Sequence, residues 1–173
     1  RINRFLQIGI NMNEFIEKLN QRASDKLPEN KTFFKKLKKN KPKNLDKTVA
    51  TLHEKYASEI DCLQCANCCK TLGPRITDND IQRIAKSQRL KPSDFVRKYL
   101  CIDDDKDYFF KSMPCPFLDF ENYCLIYPTR PKACKEFPHT DRKRFHQVFS
   151  LTIKNTFVCP IVYLIVEDLK TRY

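Results

Sequence analysis

Residues 62–70, CLQCANCCK, place four cysteines within eight positions of a chain that carries nine in all. No other feature limits the fold as much, because thiols at this density cross-link, bind metal or react, and each use needs a loop shaped around them. With 173 residues the chain can bury one ordinary hydrophobic core, so cysteines are not required merely as staples.

The N-terminal stretch RINRFLQIGIN has two arginines and only broken apolar character, without the sustained apolar core and small-residue cleavage site of a signal peptide. Met12 reads as a natural start and residues 1–11 as upstream sequence. The expected location is therefore the reducing cytoplasm, where clustered cysteines serve metal or redox chemistry more often than disulfides. The odd total points the same way. Two glycines in the whole chain leave little room for phosphate-binding loops or for a hairpin-dense all-β fold. The longest apolar run, IVYLIV at 161–166, is far short of the roughly 20 residues that span a bilayer. It reads as a buried helix or strand, and no membrane contact is expected.

Phe15, Ile16, Leu19 and Ala23 recur at helical spacing, and a second helix is expected after Pro28 with Phe33, Phe34 and Leu37. Lysines crowd positions 31–47 around Pro42 with the single acid Asp46, which marks a linker. Leu45, Val49, Leu52, Tyr56 and Ile60 step by four, three, four and four, the stripe of a helix that delivers the chain to Cys62. Thr77 and Asp80 have capping-box spacing, and Pro92 sits in the first turn before Phe95, Val96 and Tyr99. The segment 107–140 mixes aromatics, prolines and cysteines without helical period, which predicts short strands and loops. FHQVFSLTIKNTF, at 145–157, alternates as a strand does, and Pro160 opens a terminal helix. The expected fold is mainly α with a small irregular β region (α+β), a metal-stabilised single domain. A basic helical extension over 1–43 precedes a cysteine-cluster domain over 44–173.

Cys62, Cys65 and Cys68 are spaced C-x2-C-x2-C, and Cys-Pro pairs follow at Cys115-Pro116 and Cys159-Pro160. Three close thiolates and one remote Cys-Pro match the ligands of bacterial-type four-iron clusters, while a four-thiolate zinc site uses the same knuckle. The doubled Cys68-Cys69 adds a constraint, since adjacent side chains diverge and do not readily face one small centre together. Eight cysteines are enough for two four-thiolate sites, or for one cluster with further structural thiols. Cys101, at the end of a helical pattern and outside any ligand spacing, is expected to be a buried apolar thiol. Cysteine nucleophilic catalysis lacks support, because His53, His139 and His146 have no sequence link to any one thiol.

CLQCANCC, DIQRIAKSQRLKPSDFVRKYL, CPFLD, CLIYPTRPKACKEFP and the late CP together resemble the YkgJ-type cysteine-cluster proteins, a zinc- or iron-chelating CxxCxxCC family, over roughly residues 60–160. The resemblance implies a metal-bound domain with Cys62, Cys65, Cys68, Cys69, Cys115, Cys124, Cys134 and Cys159 as ligands. A glycine is usual after the second cysteine of that motif, and Ala66 replaces it here, which tightens the knuckle without removing a ligand. Some related chains are flagellin lysine methylases, so an enzyme acting on a protein or nucleic acid is the alternative function, although the glycine-poor composition argues against the usual methyl-donor loop.

The expected cofactor is an iron–sulfur cluster (4Fe-4S), with electron transfer or redox sensing as its use, or Zn2+ in a structural role. Arg75, Arg130, Lys132 and Lys135 flank the cysteines and can offset the negative charge of four thiolates, Arg130 most of all. His139 is expected to remain a loop histidine without a metal role. The expected partner is a protein. The net charge of +12 makes nucleic acid a weaker candidate through the lysine-rich stretch, because lysine dominates and no aromatic-interleaved motif accompanies it.

Overall fold

Helical apolar stripes build most of the chain, and the rest is loop gathered around cysteines and aromatic rings. The computed structural model describes residues 12–173, so the reading of residues 1–11 as upstream sequence lies outside the described residues. It is 63% helical with one small two-stranded antiparallel sheet. Among the described residues no single helix is long and apolar enough to cross a membrane. The chain divides into two compact units, one formed by the residues up to Cys65 with Pro138–Tyr173, the other by Ala66–Phe137.

In the first unit, α1 (Met12–Glu17) is followed by α2 (Leu19–Asn40) and α3 (Leu45–Glu59), then by α4 (Cys62–Cys65). The helix predicted to begin after Pro28 instead runs through it, with Pro28 on the exposed side. A proline removes one backbone hydrogen bond and strains one turn, but Leu19 and Ala23 before it and Phe33, Phe34 and Leu37 after it bury a common face. That shared burial outweighs the break. The lysine-rich stretch is likewise no linker up to Asn40, because Lys31, Lys35, Lys36, Lys38 and Lys39 form the solvated face of α2.

Phe145–Val148 is a 3-10 turn leading into α9 (Phe149–Asn155), where a strand was expected. Its buried residues Phe145, Phe149, Thr152 and Thr156 step by four, three and four, a helical period that the β-branched residues disguised. The buried threonine hydroxyls donate to the carbonyls of Val148 and Ile153 at 2.9 and 2.7 Å, so neither is left unsatisfied. α10 (Pro160–Arg172) has proline at its first position and buries Ile161, Val162, Ile165, Val166 and Leu169. At roughly 1.5–3 kcal/mol for each large aliphatic side chain, this helix is a main source of the unit's stability. Tyr56, fully buried on α3, donates its hydroxyl to Asp168 of α10 at 2.6 Å. Asp46 accepts the backbone N–H groups of Arg144 and Phe145 at 2.6 and 3.0 Å, tying the start of α3 to the returning chain.

In the second unit, α5 (Asn67–Thr71) precedes α6 (Asp78–Ser87) and α7 (Pro92–Tyr99). Both halves of the Thr77–Asp80 capping box form at the start of α6, a feature worth about 1 kcal/mol. Strands β1 (Leu100–Ile102) and β2 (Tyr108–Phe110) pair with Leu100 opposite Phe110 and Ile102 opposite Tyr108. The core gathers Ile76, Ile81, Ile84, Phe95, Leu100, Phe110, Phe117 and Ile126. Phe117 is its hub, with ring centroids 5.0 Å from Tyr99, 5.7 Å from Phe110 and 6.2 Å from Phe95. A 3-10 turn at Tyr127–Thr129 and α8 (Lys132–Glu136) complete the unit.

Cys101 is exposed, not buried as expected. The helical pattern before it stops at Tyr99, and strand alternation then turns Leu100 into the core and Cys101 outward. Its thiol only approaches the carbonyls of Phe109 and Phe110, at 3.7 and 3.9 Å. Cys101→Ser is therefore expected to leave metal content unchanged and stability within about 0.5 kcal/mol of the parent, measured by metal analysis and urea unfolding.

Candidate metal centre

Asp61 opens α4 by accepting the Leu63 N–H at 2.8 Å, and this short turn carries the exposed Cys62 and the half-buried Cys65. Ala66 then adopts the left-handed conformation (φ 45, ψ 14). Only glycine takes this backbone without steric cost, which gives a physical reason for a glycine at this place in the motif. Ala66 is buried, so its methyl group recovers part of the cost through packing. Cys68 and Cys69 follow on α5 with their sulfurs 4.0 Å apart.

Within residues 66–137, separate segments bring further thiols toward Cys69. The Cys115 N–H donates to the Cys69 carbonyl at 2.9 Å, splicing α5 to the Cys115 loop. Leu118 and Cys124 form an antiparallel bridge, and the Leu125 N–H donates to Phe117 at 2.9 Å. Because Phe117 is the aromatic hub, the loop bearing Cys115 and the turn bearing Cys124 are both fixed to the core.

Cys134 lies on α8, whose position depends on Asp80. This buried carboxylate accepts the Thr77 N–H at 3.0 Å and the Thr77 hydroxyl at 2.7 Å on one oxygen. On the other it accepts the Arg83 guanidinium and the Lys132 N–H, the latter at 3.0 Å. Arg83 also donates to the Arg130 carbonyl at 3.0 Å. The capping box was legible in sequence, but the reach from Asp80 to the cysteine-bearing helix was not, since nothing local announces a contact 52 residues away.

The thiols are electrostatically linked. Burial pushes Cys115 up to about 11, with Cys69 and Cys124 adding to the shift and the N–H groups of Phe117 and Leu118 opposing it. Cys134 is pushed up to about 12 by burial and then by Cys115, Cys69 and Cys124, against the nearby Arg130. Cys124 is raised by burial and by Cys69, while the Ile126 N–H and Arg130 oppose the rise. Cys69 is held below the ordinary thiol range by its hydrogen bond with Cys68, against burial and with help from Lys70. In the first unit, burial drives Cys159 up to about 12, the Val162 and Ile161 N–H groups oppose it, and Cys62 and Cys65 add to it.

The eight predicted ligands thus fall among Cys69, Cys115, Cys124 and Cys134 in one unit, with Cys68 beside Cys69, and Cys62, Cys65 and Cys159 in the other. Arg130 stacks over the Tyr127 ring at 3.8 Å and donates to the Tyr127 carbonyl, which holds its charge near two of the thiols. Arg75 is paired with Asp107 at 2.8 Å. His139 belongs to the unit that does not contain Cys115, Cys124 and Cys134.

Soft sulfur donors, half-buried and supplied with backbone N–H groups, fit zinc or iron. Among the described residues no group of three or more His, Cys, Asp or Glu side chains stands at metal-binding geometry.

Comparison with curated proteins and with solved structures gives no match. Residues 61–153 match the family described as "CxxCxxCC: Putative zinc- or iron-chelating domain". The match covers more than half of the chain and takes in every candidate ligand except Cys159. The chain belongs to this zinc- or iron-chelating cysteine-cluster family.

Proposed function

We propose that the protein holds its metal through cysteine thiolates as an iron–sulfur cluster of the 4Fe-4S type, used for electron transfer or redox sensing with a protein partner in the cytoplasm. The observation that carries this reading is the set of half-buried thiols at 69, 115, 124 and 134, with backbone N–H groups directed at Cys115 and Cys124 and Arg130 close to Cys124 and Cys134. N–H donors and a nearby cation offset thiolate charge, and in a cluster they also set the reduction potential. A bound cluster would supply one-electron chemistry. The residues named here bind it, shield it from water and balance its charge.

One observation favours structural zinc as the second reading: four thiols in one compact unit equal the full tetrahedral complement of a closed zinc site. Anaerobic purification followed by a visible spectrum and iron, sulfide and zinc analysis separates the two. A brown protein with iron and sulfide, bleached by air, is expected. A colourless zinc-loaded protein would remove the redox role, and a folded protein without metal would remove the metal-binding reading altogether.

A further inference from the structure

We propose that the lysine face of α2 binds the phosphate backbone of a nucleic-acid duplex without regard to base sequence. This goes beyond the metal reading and does not depend on it. From Lys31 to Lys47 the chain carries eight lysines and one acid, Asp46. At 3.6 residues per turn, Lys31, Lys35, Lys38 and Lys39 fall within an arc of about 100° and along about 12 Å of helix. They lie opposite the buried stripe of Leu19, Ala23, Phe33, Phe34 and Leu37, and all four are exposed. The fold adds a member that this run of sequence does not contain. Lys154, exposed on α9, lines the same groove as Lys31, together with Leu27, Ser150, Ile153 and Phe157 and without an acid.

The charge of this face is not offset. Among the described residues none of these five lysines is in an ion pair. Glu29, the nearest acid before the run, is held by Lys26 and Lys170 at 2.8 and 2.7 Å. Asp46 is taken by the N–H groups of Arg144 and Phe145. Lys38 and Lys39 in the last turn of α2, and Lys154 in that of α9, also offset the negative ends of helix dipoles, which leaves Lys31 and Lys35 without a local use.

The composition of the face selects the partner. Interfaces with proteins are enriched in aromatic residues and arginine and depleted in lysine, and this face has lysine alone. A helix that lies in a membrane surface keeps an apolar side to insert, whereas the apolar side of α2 is buried in its own unit. Single strands need exposed rings on which bases stack, and none of the exposed large hydrophobic side chains is on α2. What remains is duplex backbone. About 12 Å of duplex carries about seven phosphate charges, enough for every lysine of the strip to meet one. Missing arginine forks and aromatic motifs count against base readout, which this mode of binding does not use.

The full-length chain as purified can be titrated against a fluorescent DNA duplex of about 20 base pairs, and against a second of unrelated sequence, from about 50 to about 200 mM salt. Equal affinity for both duplexes is expected. If the five lysines each meet one phosphate, log K falls against log salt with a slope of about −4.5, about a 500-fold loss over that range. Replacing two of them, in the double variant Lys35→Gln with Lys38→Gln, should flatten the slope to about −2.7, and Lys35→Arg with Lys38→Arg should keep the parent slope. Lys86→Gln with Lys106→Gln removes the same net charge from exposed positions in residues 66–137 and should also keep it. No binding at about 50 mM salt, or equal flattening in the Lys86 and Lys106 variant, overturns the proposal. Displacement of the duplex by polyglutamate or by phosphatidylserine vesicles at equal charge overturns the choice of partner.

Discussion

Stripping the metal with a strong chelator under reducing, anaerobic conditions is expected to unfold residues 66–137. That unit has only about 70 residues, and its core is a small cluster centred on Phe95 and Phe117. Cores of this size supply no more than about 3–5 kcal/mol. Structural metal bound by thiolates contributes about 10–16 kcal/mol of apparent binding free energy at neutral pH, and because the unfolded chain has no formed site, most of that is folding free energy. The loss would therefore exceed what the aromatic core provides. Hydrogen exchange read by mass spectrometry checks this: the amides of Cys115, Leu118, Leu125 and Tyr127, all bonded in loops and turns, should lose protection when metal is removed and regain it on reconstitution. Unchanged protection would mean that the metal is not a folding ligand.

Asp80→Ala is expected to cost about 3 kcal/mol, because it removes the buried carboxylate that accepts from the Lys132 N–H and from the partly shielded Arg83 guanidinium, in addition to removing half of a capping box. Thr77→Ala removes the cap side chain alone and should cost about 1 kcal/mol. The two also differ at the site: loss of the Asp80 anchor frees α8 and should weaken metal affinity, whereas Thr77→Ala should not. Burial pushes the Asp80 carboxyl up, but the hydrogen bonds from Thr77, Arg83 and Lys132 outweigh it and leave its folded pKa below the ordinary 3.8. A carboxyl lowered in the folded state adds stability that is fully present above its unfolded pKa and is lost as pH falls through the folded value. The stability gap between the parent and Asp80→Asn should therefore be full at pH 7 and shrink in acid below about pH 4, measured by urea unfolding at each pH. A gap independent of pH would show that the charge of Asp80 does not stabilise the fold.

What could be read in advance divides by the range of the physics involved. The stripe from Leu45 to Ile60, the Thr77–Asp80 cap and the proline-led helices at Pro92 and Pro160 depend on neighbours within a turn or two, and each forms where the sequence places it. Pro28 misled because burial on the far face of α2 outweighs a local breaker. Phe145–Asn155 misled because β-branched residues at positions 148–153 imitate a strand while the buried positions follow a helical period. Cys101 misled because its exposure depends on where the strand begins. At the site, motif spacing named eight candidate sulfurs but not how the segments bearing them are anchored. That depends on the Cys69–Cys115 backbone bond and on Asp80 reaching Lys132, contacts that no local pattern encodes.

The junction made by Asp46 with Arg144 and Phe145 also bears on the order of elements along the chain. The helical unit is discontinuous in sequence, and its halves are separated by the whole of Ala66–Phe137. Joining them across a flexible loop of that length costs about 4 kcal/mol in closure entropy, and α10, the main apolar partner of α3, follows that whole segment in the chain. In chain order, therefore, the sulfur-rich middle precedes the hydrophobic counterpart that the first helices need.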